Sequence, residues 1–177
     1  MILLLRRILV LLALFFWQGG FVFYASVVIP VGTEVFQQHY RSDNRAPSER
    51  RQQGRITRTV ASWLNISGVI ALLPMGWDAF NSSDPSRQRK RCRKLLWTAT
   101  AAILALLIWM YFRLDAAFDR GTLALLDESG FLRQHRIYLW LASVQWGACV
   151  LYLLLTVAAW RAEDLSTRNE NGPMSIR

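Results

Sequence analysis

Few side chains in this sequence are suited to binding a metal or a haem, and its two histidines come first among them. His39 follows the first long uncharged stretch, and His135 precedes the last one. If both adjoin the same side of a membrane, they could hold a metal together with Asp115, or ligate a haem as an axial pair. Arg133 and Arg136 flank His135 and disfavour a cation there. The alternative for these outer-side candidates is a hydrogen-bonded or salt-bridged role at the membrane surface.

Three amide side chains lie inside otherwise uncharged stretches: Gln18, Asn65 and Gln145. Asn65 and Gln145 fall at a similar predicted depth, and we expect them to hydrogen-bond across the protein. These amides either hold helices together or line a site for a ligand or an ion. Because no charged residue lies within the stretches, an ion pump or an ion-coupled transporter is disfavoured.

The elements that position these residues are four stretches without Asp, Glu, Lys, Arg or His. They are Ile8–Val31, Thr59–Trp77, Leu95–Phe112 and Ile137–Trp160. About 20 helical residues cross a bilayer, and unpaired backbone groups are too costly in lipid for irregular structure. We therefore predict an all-α polytopic protein, with one membrane domain of four transmembrane helices packed as a bundle. Its spans cover about 8–31, 57–80, 95–112 and 137–160, and the polar tail 161–177 is expected to be disordered.

Polar and small residues cluster on one side of the last predicted helix. That stripe holds His135, Tyr138, Ala142, Gln145, Cys149, Tyr152, Thr156 and Ala159, with Ser143 and Gly147 beside it. Such a stripe is expected to contact protein, because small residues allow close approach and polar ones bond across helices. The third helix is the least polar, so we expect it to be the most lipid-exposed. Pro30 is expected to bend or end the first helix.

Charge predicts the orientation of the chain. The net charge is +9, but no soluble region is large enough to fold a nucleic-acid-binding module. The dense basic run Arg87–Lys94 therefore predicts contact with anionic lipid headgroups. Its position beside the third helix favours an orientation with both termini in the cytoplasm. We expect the membrane to be the cell (inner) membrane of a bacterium. Cys92 and Cys149 lie too far apart in the predicted topology to form a disulfide.

Two segments resemble a family of small four-helix membrane proteins whose vertebrate relatives are the cisplatin-resistance-associated transmembrane proteins. The segments are WQGGFVFYASVVIP, with Trp17, Gly19, Gly20 and Pro30, and FLRQHRIYLWLASVQW, with His135 and Arg136. In the second span this chain has SWLNISG, where relatives tend to carry a Phe-Pro pair. The resemblance implies a four-helix architecture and no particular activity.

No nucleophile with its base and no phosphate-binding loop is present in the sequence, so we predict a non-catalytic role. The expected function is a binding, scaffold or accessory component of the membrane, without a cofactor. The alternative is a small-molecule or metal-handling carrier that uses Gln18, Asn65, Gln145 and His135. A haem enzyme would require His39 and His135 as ligands. Because four short spans enclose little volume, a homo-oligomer or a second membrane protein is a further expected partner.

Overall fold

In the computed structural model, every regular element is helical. The structure describes residues 1–40, 46–116 and 128–170, with side chains over 1–35, 56–116 and 130–168. The elements are α1 (Ile2–Phe23), a π-helical segment (Tyr24–Val28), α2 (Ile29–Tyr40), α3 (Ala46–Asn81), α4 (Arg87–Ala116) and α5 (Glu128–Glu170). The described residues contain no strand. The predicted all-α fold is confirmed.

Four helical segments are long and apolar enough to cross a membrane. They are Ile2–Val35, Ile56–Asn81, Arg87–Ala116 and Gly130–Arg168. Large apolar side chains cover the outside of the bundle: Phe15 is 80% exposed, Leu73 71% and Trp140 70%. An apolar surface of this extent needs lipid rather than water around it. The chain is thus a multi-pass membrane protein, as the uncharged stretches predicted.

The first span continues past Pro30 without ending. Pro30 lacks a backbone N–H, and its ring clashes with the carbonyl four residues earlier in a regular helix. Here the turn before it, Tyr24–Val28, widens into a π-helix, and α2 continues to Tyr40. A π turn adds one residue to the hydrogen-bonded ring and relieves such a clash. The expected helix end at Pro30 is wrong, and the expected irregularity lies one turn earlier.

Neighbouring spans pack antiparallel in the order α1, α3, α4, α5. Side chains join α1 to α3 near both ends, through Arg6 with Asn81 and Tyr24 with Thr57. They join α3 to α4 in the same way, through Asp78 with Arg93 and Arg58 with Asp115. Between α4 and α5, Arg93 contacts Thr156 near one end and Gln145 contacts Thr100 near the middle. By contrast, α1 and α5 make few close backbone approaches. The bundle is therefore closed along three interfaces and loosely joined along the fourth.

The third span, α4, packs between two neighbouring helices. Thr100, Leu104, Leu107 and Met110 are buried at three- and four-residue steps, and α4 packs against both α3 and α5. The expectation that α4 is the most lipid-exposed span is wrong, because a smaller share of the apolar part of the first span is buried than of α4. Thr100 is small and buried, which lets the neighbouring helices approach α4 closely.

The polar stripe of α5 faces the protein as predicted. Its buried members are Ala142, Gln145, Cys149, Tyr152, Thr156 and Ala159. Ser143 is exposed and bonds its own helix at Leu139 O, and Gly147 has no neighbouring atoms. The side of α5 that holds Ser143 and Gly147 therefore faces away from the bundle, although it was expected to contact protein. The helix also continues past Trp160 to Glu170, and Glu163 within this part is buried. The prediction that the whole tail from residue 161 is disordered is therefore wrong.

A tight connection between α3 and α4 orients the start of α4. Asp84 accepts hydrogen bonds from the backbone N–H of Ser86 (2.9 Å) and from Arg89 Nε (2.7 Å). Burial opposes ionisation of Asp84, but the bonds from Arg89 and Ser86 and the attraction of Arg89 and Arg93 outweigh it. The pKa of Asp84 is consequently below its ordinary value.

Asp84→Asn should lower the free energy of unfolding by about 1 kcal/mol, because the charge-assisted bonds of Asp84 weaken. A group whose pKa is lowered by folding stabilises the protein above the unfolded-state pKa. That contribution is lost as the pH falls through the folded value, below the ordinary 3.8. SDS titration in mixed micelles at several pH values measures both effects. Equal stability of the two proteins at pH 7 would contradict this account.

Candidate functional site

At one end of the bundle, each of the four spans contributes a buried charged side chain. These are Arg6 from α1, Asp78 from α3, Arg93 from α4 and Glu163 from α5, all at most 6% exposed. We call these four residues the ion-pair cluster, and the end of the bundle that holds them the ion-pair end.

Asp78 and Arg93 form the centre of the ion-pair cluster. Both are 0% exposed and form a direct salt bridge. Arg93 also donates to Thr156 Oγ1 (3.1 Å) and Ser82 Oγ (3.0 Å), while Asp78 accepts from Trp160 Nε1 (3.1 Å). With Arg6 Nε 2.9 Å from its Oδ1, Asp78 is surrounded by donors from three helices.

Glu163 joins the first span to the last. Its Oε2 accepts from Arg6 and Arg7 (3.2 Å each), and its Oε1 accepts from the backbone N–H of Ser83 (3.1 Å). Arg7 then reaches Asp164 at the surface (2.8 Å). The α1–α5 interface, loose elsewhere, is fastened here by ion pairs.

The ion-pair cluster balances two cations with two anions. Each charged group already has an oppositely charged partner, so the arrangement supports a structural clasp rather than a reaction. Sequence reasoning missed these contacts because all four residues lie just outside the uncharged stretches and were taken as surface charges. A signal was present: each lies within three residues of the end of a stretch, at the same end of the predicted bundle.

A cavity of about 400 Å³ lies in the other half of the bundle. Its lining includes Trp17, Gln18, Phe21, Tyr24, Ala25, Ile29, Thr57, Ala61, Leu64, Asn65, Leu107, His135, Tyr138, Leu139, Ala142 and Gln145. No Asp, Glu, Lys or Arg occurs among these described lining residues. The volume falls within the range of small-molecule sites, and the lining is apolar with a few polar groups, which is typical of such sites.

All three predicted amides line this cavity, at one level. We call Gln18, Asn65 and Gln145 the central tier. Gln145 Nε2 donates to Thr100 O (3.2 Å), and Gln18 Nε2 donates to Cys149 Sγ (3.3 Å), a weak acceptor. Asn65 is 8% exposed and its Nδ2 has no hydrogen-bond partner in the protein. The predicted bond between Asn65 and Gln145 is not formed, because Gln145 turns to the backbone of α4.

A second polar level, the end tier, lies nearer the end opposite to the ion-pair cluster. It consists of Tyr24, Thr57 and His135, and Tyr24 Oη donates to Thr57 Oγ1 (2.7 Å). Tyr138 lies between the two levels, because its side chain reaches the Asn65 amide. Thr57 precedes Asn65 by eight residues of one helix, so the tiers are separated by about 12 Å. His135 is half-buried and stacks on Phe131, with ring centroids 5.8 Å apart.

The outer-side candidates are only partly brought together. His135 lines the cavity, but Asp115 is paired with Arg58 (2.9 Å). His39 belongs to α2, and its side chain lies outside the described part of the structure. Across the described residues, no group of three or more His, Cys, Asp or Glu side chains is placed to hold a metal. A site on His39 and His135 stays a prediction.

Comparison of the chain with protein-family models, with curated proteins and with solved structures finds no match. The resemblance drawn from the two sequence segments therefore stays a prediction.

Proposed function

We propose that this protein is a non-catalytic binding component of the membrane, and that its cavity accommodates a neutral, lipophilic small molecule. The observation that carries the proposal is an uncharged cavity of about 400 Å³ that contains the unpartnered, buried amide nitrogen of Asn65. A buried donor without an acceptor typically costs 1–3 kcal/mol. A ligand with an acceptor oxygen removes that penalty.

The position of the cavity favours a ligand that arrives from the bilayer. Its walls come from both α1 and α5, the two spans that make few close approaches. Ion pairs join these spans at the ion-pair end, whereas the cavity lies beyond them along the same interface. A molecule dissolved in lipid can enter between two such helices without first crossing into water.

We further propose a bacterial inner membrane with both termini in the cytoplasm. Within the basic run, Arg93 is buried and Arg89 is paired with Asp84, while Arg87 and Arg91 are exposed. These two exposed arginines are the proposed contacts to anionic lipid headgroups.

Filling the cavity tests the proposed function. Ala61→Phe places a ring among the lining residues without removing a polar group, and should reduce the amount of co-purified lipophilic ligand at least tenfold. Native mass spectrometry of protein released from membranes in mild detergent measures that amount. Ala102→Phe is the matched control, because Ala102 is exposed on the lipid side of α4.

Wild-type protein and Ala102→Phe should carry the same bound molecule, and Ala61→Phe should carry little of it. Wild-type protein without any bound lipophilic molecule would overturn the proposal. So would equal loading of the Ala61→Phe and Ala102→Phe proteins.

A further inference from the structure

At the central tier, the cavity offers its ligand hydrogen-bond donors rather than hydrogen-bond acceptors. Asn65 Nδ2 has no partner, and Gln18 Nε2 has only the thiol of Cys149, a weak acceptor. Both amides stay neutral at all physiological pH values. The missing partner is therefore a group with acceptor oxygens, such as a carbonyl.

Ring side chains form much of the remaining wall. Trp17, Phe21, Tyr24, His135 and Tyr138 all line the cavity. Aromatic side chains pack favourably on flat, conjugated rings in offset-stacked or edge-to-face arrangements. This lining favours a planar ring over the flexible chains of a glyceride.

The charged head groups of the commonest membrane lipids do not fit the lining of this cavity. The lining residues include no Lys or Arg to neutralise a phosphate or a carboxylate, and an unpaired charge is costly in such surroundings. The loosely packed α1–α5 interface gives an apolar tail a route to the bilayer. The occupant is thus a neutral, planar ring that bears carbonyl oxygens and an apolar tail.

We infer that the cavity binds the head group of a membrane quinone, with a ring carbonyl accepting the N–H of Asn65. This inference rests on the proposed function and specifies the ligand of the same cavity. The end tier lies about 12 Å from the central tier, so the ring and the first part of its tail fit between the two levels. Gln18 supplies a second donor at the depth of Asn65.

The test measures saturable binding of a radiolabelled benzoquinone that carries one isoprenyl unit. The full chain is placed in phosphatidylcholine nanodiscs, and bound label is separated by rapid gel filtration. An analogue with the same ring and tail but without carbonyls is measured in parallel. Wild-type protein should bind the quinone at least tenfold more tightly than the analogue, because only the quinone accepts the amide N–H bonds.

Asn65→Leu should weaken quinone binding about tenfold while leaving the unfolding midpoint unchanged or higher. The substitution removes an unpartnered donor and keeps a side chain of similar length, so the fold loses no hydrogen bond made by that donor. Asn81→Leu is the matched control: Asn81 is an exposed amide of the same helix, bonded to Trp77 O (3.0 Å), and lies outside the cavity. Gln18→Met gives a second variant and should weaken binding several-fold.

Equal binding of quinone and analogue by wild-type protein, or equal quinone binding by the Asn65→Leu and Asn81→Leu proteins, would overturn the inference. If no quinone binds but another lipophilic molecule is lost on Ala61→Phe, the quinone assignment is wrong and the proposed function stands. If neither a quinone nor another lipophilic molecule is bound, both the quinone assignment and the proposed function are wrong.

Discussion

Asp78→Asn should lower the free energy of unfolding by about 3–5 kcal/mol, the effect of breaking a buried ion pair from one side. Asp78 and Arg93 are fully buried, and Arg6 lies against the same carboxylate. Neutralising Asp78 removes the salt-bridge partner of Arg93, because Glu163 contacts Arg6 and Arg7 instead. The Asn side chain can still accept from Trp160, so the loss is electrostatic rather than steric. Unfolding by SDS in mixed micelles measures the change.

Asp164→Asn is the control for this prediction, because Asp164 pairs with Arg7 at the surface and its side chain is 58% exposed. Its removal should leave the unfolding midpoint nearly unchanged, since solvent screens exposed pairs. Replacing both central partners by Asp78→Leu and Arg93→Met should cost less than the sum of the single changes, because no central charge is then left unpaired. Two results would refute the stabilising role of the ion-pair cluster. One is a stability loss in the double variant equal to the sum of the Asp78→Leu and Arg93→Met losses, and the other is equal unfolding midpoints for Asp78→Asn and Asp164→Asn.

Gly68→Val should destabilise the protein by up to about 3 kcal/mol through overpacking. A Cβ placed on Gly68 would lie only 2.7 Å from Trp17 Cε2, well inside a normal contact distance. Trp17 is itself 4% exposed and packed in the core, apart from the side that lines the cavity. To admit the larger side chain, either its ring must move into the cavity or the α1–α3 interface must separate.

The same substitution at Gly147 separates overpacking from a general effect of valine in a helix. No atom lies within 4 Å of a Cβ built there, so Gly147→Val should leave the SDS midpoint nearly unchanged. Shrinking the partner with Trp17→Leu should restore part of the stability lost in Gly68→Val. A larger loss at Gly147 than at Gly68, or no recovery with Trp17→Leu, would contradict this packing.

The membrane architecture was predictable because charge is excluded from apolar spans, a rule that acts on each stretch independently. The inward side of α5 was predictable for a similar reason: helical periodicity alone places Gln145 and Tyr152 on one side. Neither prediction depends on which helices are neighbours.

Contacts between spans could not be obtained in this way. Thr100 O accepts from Gln145 because α4 lies between α3 and α5, and the apolar sequence of α4 gave no indication of that position. The partners of Asp78 were hidden for the same reason, since two of them, Arg6 and Trp160, come from helices far away in the chain. The cavity depends on the looseness of the α1–α5 interface, which no local pattern encodes.

The ion-pair cluster and the cavity give the two halves of the bundle different mechanical roles. Ion pairs join all four spans at the ion-pair end, including α1 to α5 through Arg6 and Glu163. In the half that holds the cavity, Gln18 of α1 contacts Cys149 of α5. Under the proposed function, fixing one end would allow the other to admit a ligand while the bundle stays assembled.

The most direct measurement is a high-resolution structure of the protein extracted with its native lipids. If the cavity binds a quinone, density for its planar ring lies between Trp17 and Tyr138, within hydrogen-bonding distance of Asn65 Nδ2. Density for the tail then continues between α1 and α5. A cavity closed by movement of α1 against α5, or one in which Asn65 Nδ2 is bonded to a protein group, would contradict this account.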